Sequence, residues 1–199
     1  MNACSSLAGR VDAIVMGASA GGVDVLMTLL PALSASFAVP IFIVLHLPRD
    51  RPSLLADIFA RKCRLPVYEA QDKEFVRPGT VYFAPPDYHL LIDEGPQLSL
   101  SADELVHHSR PSIDVLFESA VDVYRARLLG IVLTGANDDG AEGLAAIHAA
   151  GGITVIQQPE SALAKQMVVS ALIRNPASQV LDLQGISALL RTLDQGVPV

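Results

Sequence analysis

Short runs of apolar residues alternate with amphipathic segments along most of the chain, and this alternation constrains the fold more than any other feature. Val11–Gly17 and Ile41–Leu45 are apolar runs of strand length, and the segment between them carries leucines at the three- and four-residue spacing of a helix. The alternation returns later, where Leu128–Leu133 is another run typical of a buried strand. Strands and helices that alternate at this spacing predict a parallel, doubly wound sheet with helices on both faces.

Residues 70–111 interrupt this alternation. Short strands are predicted at Thr80–Ala84, His89–Ile92 and Gln97–Ser101, and the last two are joined by a turn that contains Gly95. Because no helix-length segment separates these strands, we interpret all three as an antiparallel appendage. The predicted fold class is therefore α/β: a doubly wound, mainly parallel sheet flanked by helices, with a small antiparallel hairpin appendage.

The composition agrees with one domain of this class. The chain has 199 residues, of which 51% are hydrophobic and only 18% are charged. Such a balance suits a parallel sheet that is covered on both faces. We find no internal repeat and no linker, so we expect a single domain over residues 8–196 after a loose lead-in at residues 1–7. A helix that begins behind Ser112 as N-cap belongs to the same domain.

Several classes of protein are disfavoured by the sequence. A net charge of −7 argues against a nucleic-acid partner, which requires a basic surface. No apolar run approaches the ~18 residues of a spanning helix, and the N-terminus lacks the pattern of a signal peptide. Cys4 and Cys63 are isolated and predict neither a disulfide framework nor a zinc site. We therefore expect a cytoplasmic protein without membrane insertion, metal or cofactor.

A glycine-rich turn, Gly17–Gly22, follows the first predicted strand. In an open α/β sheet, ligands bind at the carboxyl ends of the strands. The turn lacks the middle glycine of the dinucleotide fingerprint and the lysine of a P-loop, and His46 stands where an acidic residue would hold a ribose. A nucleotide site is therefore disfavoured. The same turn matches the G-x-S-x-G pattern that exposes a serine nucleophile, here Ser19.

A serine nucleophile requires a base within hydrogen-bond distance. His46 follows the second strand directly and is the best candidate among the five histidines. The other four have simpler interpretations: His148 packs on the apolar face of a helix, His107 and His108 are solvated in a polar loop, and His89 opens a hairpin strand.

The loop after Leu128–Leu133 supplies two adjacent carboxylates, Asp138 and Asp139. An Asp before Gly at the start of a helix is commonly an N-cap. The alternative is a carboxylate that orients the imidazole of a catalytic histidine, and the two interpretations are compatible. No third carboxylate or histidine accompanies the pair at ligand spacing, so a metal site is not predicted.

Taken in order, these motifs resemble the catalytic domain of bacterial chemotaxis protein-glutamate methylesterases. The resemblance extends from about Val11 to the last helix. The segments that carry it are GASAGG at 17–22, HLP at 46–48, APPDYHL at 84–90, RPSIDVLF at 110–117 and TGANDDGA at 134–141. It implies a doubly wound sheet with an antiparallel hairpin. It also implies hydrolysis of glutamate γ-methyl esters on the signalling helices of chemoreceptors, with release of methanol, and in many members deamidation of receptor glutamines.

Carried over residue by residue, the resemblance implies Ser19 as nucleophile, His46 as base and Asp139, rather than Asp138, as the orienting carboxylate. The backbone N–H of Ala20 is a candidate donor for the oxyanion hole.

The N–H of Ala136 is the second candidate donor. Ala136 stands where the family usually has Met, and a backbone donor survives that change. Near the end of the chain, Met167-Val168 replaces the family's usual Met-Pro helix start, which affects the shape of a loop but none of the three side chains.

Family members normally carry an N-terminal receiver domain. The stretch before Val11 is shorter than the ~100 residues such a domain needs, so we expect an open cleft whose turnover is limited by receptor docking or by a separate regulatory protein. Two alternatives are a hydrolase of other acyl esters and a non-catalytic partner in a chemosensory complex. The intact Ser, His and Asp set counts against the second.

Overall fold

The structure is a computed structural model that describes residues 9–47 and 53–194. Cys4 and Pro48, which the sequence analysis singled out, lie outside these ranges, as do the two ends of the expected domain. The strands within them are β1 (Ala13–Ala18), β2 (Ile41–Leu45), β3 (Val67–Glu69), β4 (Val81–Phe83), β5 (His89–Asp93), β6 (Gln97–Ser101), β7 (Leu128–Val132), β8 (Ile153–Gln157) and β9 (Gln179–Leu181). The α-helices are α1 (Gly22–Leu29), α2 (Leu55–Ala60), α3 (Ile113–Tyr124), α4 (Ala141–Ala149), α5 (Gln166–Arg174) and α6 (Leu183–Leu193).

The main sheet has seven strands in the order β3-β4-β2-β1-β7-β8-β9, and every neighbouring pair is parallel. After β1, the chain adds β2, β3 and β4 on one side of that strand. It then returns to the other side of β1 and adds β7, β8 and β9. The strand order therefore reverses between β1 and β7, which is where a doubly wound sheet opens a crevice at its carboxyl edge. This architecture confirms the predicted fold class.

Both faces of the sheet are covered by helices, so its central strands are apolar throughout. Ile14 and Met16 of β1 belong to one core layer, which includes the apolar faces of α1 and α6. Val15 points to the opposite layer, which includes Leu116 of α3 and Leu144 of α4. All six residues of β1 are buried. Continuous burial explains why this strand reads as an unbroken apolar run rather than an alternating pattern.

The antiparallel prediction is confirmed for β5 and β6, which form a separate two-stranded sheet, but it is wrong for Thr80–Ala84. In the structure β4 lies between β2 and β3 and pairs parallel with both. The connection from β3 to β4 contains no helix. Instead it packs along the hairpin, where Lys73 N–H donates to Leu98 O at 2.8 Å. The hairpin thus covers the sheet where a crossover helix would otherwise lie.

The described residues include no helix that is both long and apolar enough to cross a bilayer.

Candidate active site

Ser19 lies in the turn between β1 and α1, at the carboxyl edge of the central strand. Its N–H donates to Thr134 O at 2.9 Å, and its carbonyl accepts the N–H of Gly22 at 2.8 Å. Gly21 occupies the third position of this turn with φ +81°, a conformation that favours glycine. A Cβ at Gly21 would also lie 2.9 Å from Cβ of Leu163. The glycine-rich sequence therefore serves the turn that presents Ser19.

His46 directly follows β2, the strand next to β1. The parallel register pairs Ala18 with Leu45, and the N–H of His46 donates to Ala18 O at 3.1 Å. This pairing brings His46 and Ser19 to adjacent strand ends. The side chain of His46 is mostly buried, with 13% of its surface exposed.

Asp139 reaches the same edge from the loop after β7, the strand on the other side of β1. Its side chain is completely buried, whereas that of Asp138 is exposed. Oδ2 of Asp139 lies 3.0 Å from Nε2 of His46. The structure thus places Asp139, and not Asp138, against the histidine.

The Asp139 carboxylate is bound at the N-terminus of α3. Oδ2 accepts the N–H of Ile113 at 2.7 Å, and Oδ1 accepts the N–H of Asp114 at 3.0 Å and the hydroxyl of Ser112 at 2.9 Å. Ser112 is itself the N-cap of α3, as predicted, through its side-chain bond to the N–H of Val115. A helix N-terminus favours a negative charge.

The prediction that one of the two aspartates caps the helix that follows them, α4, is wrong. The N-cap of α4 is Gly140, and no side chain caps that helix. Asp139 instead binds the start of α3, a helix that precedes it in the sequence. This contact is formed by tertiary packing, so the local Asp-Asp-Gly pattern carries no signal for it.

The surroundings of Asp139 keep it ionised. Burial by itself raises the pKa of this carboxyl, but hydrogen bonds from His46 and from the backbone of Asp114 and Ile113 outweigh burial and hold the pKa below its ordinary value. An ionised carboxylate only accepts hydrogen bonds, so Nε2 of His46 carries the proton of the neutral ring.

Asn137 is the site residue that the sequence analysis missed. Its Nδ2 lies 3.2 Å from Nδ1 of His46, on the opposite side of the ring from Asp139. In the part of the chain that the structure describes, no hydrogen bond joins Oγ of Ser19 to the ring. An asparagine inside a polar loop follows no pattern that would have marked it beforehand.

The two candidate oxyanion donors lie on loops that are tied together. The hydroxyl of Thr134 donates to Ala20 O at 2.8 Å, which joins the Ser19 turn to the loop that contains Ala136. Both Ala20 and Ala136 are exposed. Neither of their N–H groups has an acceptor among the described residues.

A small cleft of about 80 Å³ adjoins the histidine and is lined by His46, Leu47 and residues 108–111. Arg110 fixes this segment: its guanidinium donates to Oδ1 of Asp87 at 2.8 Å and to the carbonyls of Ala102 and Asp103 at 2.7 Å. The APPDYHL and RPSIDVLF segments therefore meet at the contact between Asp87 and Arg110, and the second segment lines the cleft through Arg110 and Pro111.

Of the other histidines, His89 opens β5 as expected, and it also supports the site. It is buried, its Nδ1 accepts the N–H of Ser112 at 3.1 Å, and its Nε2 donates to Glu104 O at 3.0 Å. His107 and His108 are exposed, as expected. The prediction that His148 packs on an apolar face is wrong: it lies near the end of α4 and is exposed.

Asp114 is a second buried carboxylate close to the site, and its burial was not foreseen. Oδ1 accepts the N–H of Gly143 at 2.6 Å, while Oδ2 lies 3.3 Å from Nε2 of His107 without hydrogen-bond geometry. Burial, opposed by the bond from Gly143 and reinforced by the charge of Asp139, raises the pKa of Asp114 to about 6. Within residues 9–47 and 53–194, no three His, Cys, Asp or Glu side chains are grouped so as to hold a metal ion.

A doubly wound sheet with serine, histidine and aspartate side chains at its carboxyl edge is typical of hydrolases that use a serine nucleophile. The comparisons with known proteins narrow this class. Residues 14–190 match the CheB methylesterase family. The chain therefore belongs to the CheB methylesterase family, which confirms the prediction of a protein-glutamate methylesterase made from the sequence.

Individual relatives agree with this membership. A Leptospira interrogans protein is 45% identical over 184 residues, which cover 92% of this chain and 95% of that protein. The protein-glutamate methylesterase/protein-glutamine glutaminase of Trichodesmium erythraeum is 34% identical, over 89% of this chain and 51% of its own length. The crystal structure of the Thermotoga maritima CheB methylesterase catalytic domain superposes with a TM-score of 0.86 at 30% identity, and the match covers 91% of this chain and 98% of that one.

Proposed function

We propose that this chain hydrolyses the γ-methyl esters of glutamate residues on chemoreceptors, with Ser19 as nucleophile, His46 as base and Asp139 as orienting carboxylate. The observation that carries this proposal is the contact of 3.0 Å between Nε2 of His46 and Oδ2 of Asp139, formed beside the Ser19 turn. Membership of the methylesterase family supports the choice of substrate class.

In the first half of the reaction, Asp139 keeps the ring proton on Nε2, so that Nδ1 of His46 carries the lone pair that can accept a proton. Nδ1 takes the hydroxyl proton of Ser19 while Oγ bonds to the ester carbonyl carbon. The N–H groups of Ala20 and Ala136 stabilise the resulting oxyanion, at ~3 kcal/mol per donor by precedent. The carbon–methoxy bond then breaks, and the departing oxygen takes the proton from Nδ1 to leave as methanol.

In the second half, water resolves the acyl-enzyme. Nδ1 of His46 accepts a proton from water as its oxygen bonds to the acyl carbon, and the bond to Oγ of Ser19 breaks. Oγ recovers its proton from Nδ1. The products are the free glutamate side chain and the resting enzyme.

Deamidation of protein glutamine is a second candidate activity, and the names of the relatives favour it, because they pair methylesterase with glutaminase. The same attack by Ser19 on a primary amide would expel ammonia instead of methanol, with Nδ1 of His46 protonating the leaving nitrogen. Both activities would pass through the same acyl-enzyme.

We infer that the partners are the signalling helices of methylated chemoreceptors and that the enzyme acts in the cytoplasm. These inferences rest on the family to which the chain belongs. A hydrolase of other acyl esters and a non-catalytic chemosensory partner are the competing outcomes of the test.

The test uses receptor membranes whose glutamates carry a radiolabelled methyl group. The purified chain should release labelled methanol, and Ser19→Ala should abolish the release. Ser36→Ala is the matched control, since Ser36 is exposed in the segment that leads into β2, at the amino edge of the sheet. If wild type releases no methanol from any of several receptors, yet simple acyl esters are hydrolysed, the methylesterase proposal fails in favour of another esterase.

A further inference from the structure

Because Asp139 binds one nitrogen of the His46 ring, only the other nitrogen can act as a base. Nε2 lies 3.0 Å from Oδ2 of Asp139 and donates to it. In the neutral ring the lone pair is therefore on Nδ1. Nδ1 is the atom that would receive the proton of Ser19 in the proposed function.

Asn137 contacts this same nitrogen. Its Nδ2 lies 3.2 Å from Nδ1 of His46, and because Nδ1 is unprotonated in the neutral ring, the amide N–H donates to it. The ring is thus held from both sides, by Asp139 through Nε2 and by Asn137 through Nδ1.

The oxygen of the Asn137 amide is also informative. Oδ1 is buried and has no hydrogen-bond partner among the described residues. No hydrogen bond to Oδ1 therefore has to break for the amide to turn. A half-turn about the Cβ–Cγ bond exchanges the nitrogen and oxygen of an amide, which have nearly the same shape. The oxygen would then face a protonated Nδ1, which is a donor.

We propose that Asn137 is a positioning residue for the base: its carboxamide holds the ring of His46 through Nδ1 in the resting enzyme and again once the ring is protonated. It donates to the neutral ring and accepts from the imidazolium that forms when Ser19 gives up its proton. The inference rests on the proposed function of His46 as base. When substrate binds, the hydroxyl of Ser19 displaces the amide N–H from Nδ1; after proton transfer, the amide oxygen shares the Nδ1–H with the leaving group.

The charged and titratable groups that face His46 also affect the pH dependence of a test. Among residues 9–47 and 53–194 they are Asp139 at Nε2 and, along the cleft, His108 and Arg110. The guanidinium of Arg110 is bound to Asp87. Asp138 lies next to Asn137 in the same loop but is exposed, which makes Asp138→Asn a matched control for a change of charge in this loop.

The first readout is ¹⁵N NMR of the imidazole of His46 in the full chain, which requires no substrate. In Asn137→Ala the Nδ1 resonance should move, because its hydrogen bond is lost, while the Nε2 resonance should keep the signature of a proton shared with Asp139. Asp138→Asn should leave both resonances in place. An Nδ1 resonance that is identical in wild type and Asn137→Ala overturns the proposal.

The second readout is the rate at which a fluorophosphonate modifies Ser19, measured against pH. Asn137→Ala should lower the rate constant about 10-fold, since the ring loses its orientation, with little change in the dissociation constant of the probe. Asn137→Asp keeps the shape but offers only an acceptor with a negative charge, which favours the imidazolium, so the acid limb should move to higher pH. A rate in Asn137→Ala that equals or exceeds that of wild type overturns the proposal.

These readouts separate the inference from the proposed function. Modification of Ser19 with the expected response of the Asn137 variants, but without methanol release from receptors, would contradict the substrate and support the positioning role. Methanol release by Asn137→Ala with the kcat, KM and pH profile of wild type would support the substrate and overturn the positioning role.

Discussion

Oδ2 of Asp139 accepts the backbone N–H of Ile113 at 2.7 Å, so the carboxylate that contacts His46 is bound to the first turn of α3. The same oxygen accepts the N–H of Nε2 of His46, and the two atoms are 3.0 Å apart. The orientation of the imidazole therefore depends on where α3 begins. Since α3 packs on the sheet, substitutions beneath it should change catalysis without touching any of the reacting side chains.

Replacement of Asp139 by Asn should almost abolish esterase activity. An amide can present its NH₂ group to Nε2, which favours the ring tautomer with the proton on Nδ1 and leaves no base for Ser19. The expected loss in kcat is on the order of 10⁴-fold, by analogy with the same change in a serine protease. Asp138→Asn is the matched control and should retain activity, because Asp138 is exposed. A greater loss in Asp138→Asn would mean that the wrong aspartate has been assigned.

Gly17→Ala should displace α3 and with it Asp139. A Cβ at this position of β1 would lie 2.4 Å from Cγ2 of Ile113, so the start of the helix must move away from the strand. We expect a loss of about 1–3 kcal/mol in the free energy of unfolding and a fall in kcat of about 10²-fold.

The control for that substitution is Gly185→Ala in α6, where the nearest atom to a new Cβ lies at 3.2 Å. Its effect should be neutral or favourable by up to ~1 kcal/mol, since Ala stabilises a helix relative to Gly. The measurements are the free energy of unfolding in urea and kcat, both taken on the two variants. A stable Gly17→Ala variant with normal kcat would contradict the link between β1 and the position of Asp139.

Asp114→Asn should stabilise the protein at alkaline pH. Burial raises the pKa of Asp114 from 3.8 to about 6, so the folded state holds a proton that the unfolded chain has released between these values. The ionised carboxylate therefore destabilises the fold above pH 6, and this cost disappears as pH falls towards 4. The variant should gain about 1–3 kcal/mol at pH 8, shrinking to nothing near pH 4.

Urea unfolding between pH 5 and 8 measures this gain. Asp122→Asn is the control, because Asp122 lies exposed on the same helix. A variant at position 114 that is less stable than wild type at pH 8 would show that the contact of the carboxylate with Gly143 outweighs its burial.

The sequence predicted the three strand ends that form the site, because β1, β2 and β7 are buried on both faces and each appears as an unbroken apolar run. Ser19 and His46 follow the first two runs directly, and Asp139 lies in the loop after the third, so the topology of a doubly wound sheet was enough to bring them to one edge. The N-cap at Ser112 was predicted for a similar reason, since capping is a local property of the chain.

The features that were missed depend on contacts between distant segments. Nothing local to Asn137 indicates that it lies 3.2 Å from His46. Asp114 is buried because α3 and α4 approach closely at Gly143, which is a property of the packed pair. The strand β4 was assigned to the wrong sheet because a hairpin, and not a helix, covers its connection to β3.

The rate of wild type should fall as the pH is lowered. A protonated His46 cannot accept the proton of Ser19, so protonation of the imidazole removes the base. Hydrogen bonds hold the pKa of Asp139 below its ordinary value in spite of burial, so Asp139 stays ionised and adds no second limb between pH 5 and 8. The measurement is kcat/KM against pH with chemistry rate-limiting. A flat profile over this range is incompatible with a histidine base.

In the proposed reaction Ser19 and His46 act as one catalytic unit. The test is the rate of methanol release by Ser19→Ala, His46→Ala and the double variant, with Ser36→Ala as control. When two residues act as a unit, removal of either one already removes the contribution of both. The rate of each single variant should therefore fall close to background, and the double variant should be scarcely slower than either. The control should match wild type. Losses that multiply in the double variant would show that the two residues serve different steps, and the account of the site would be wrong.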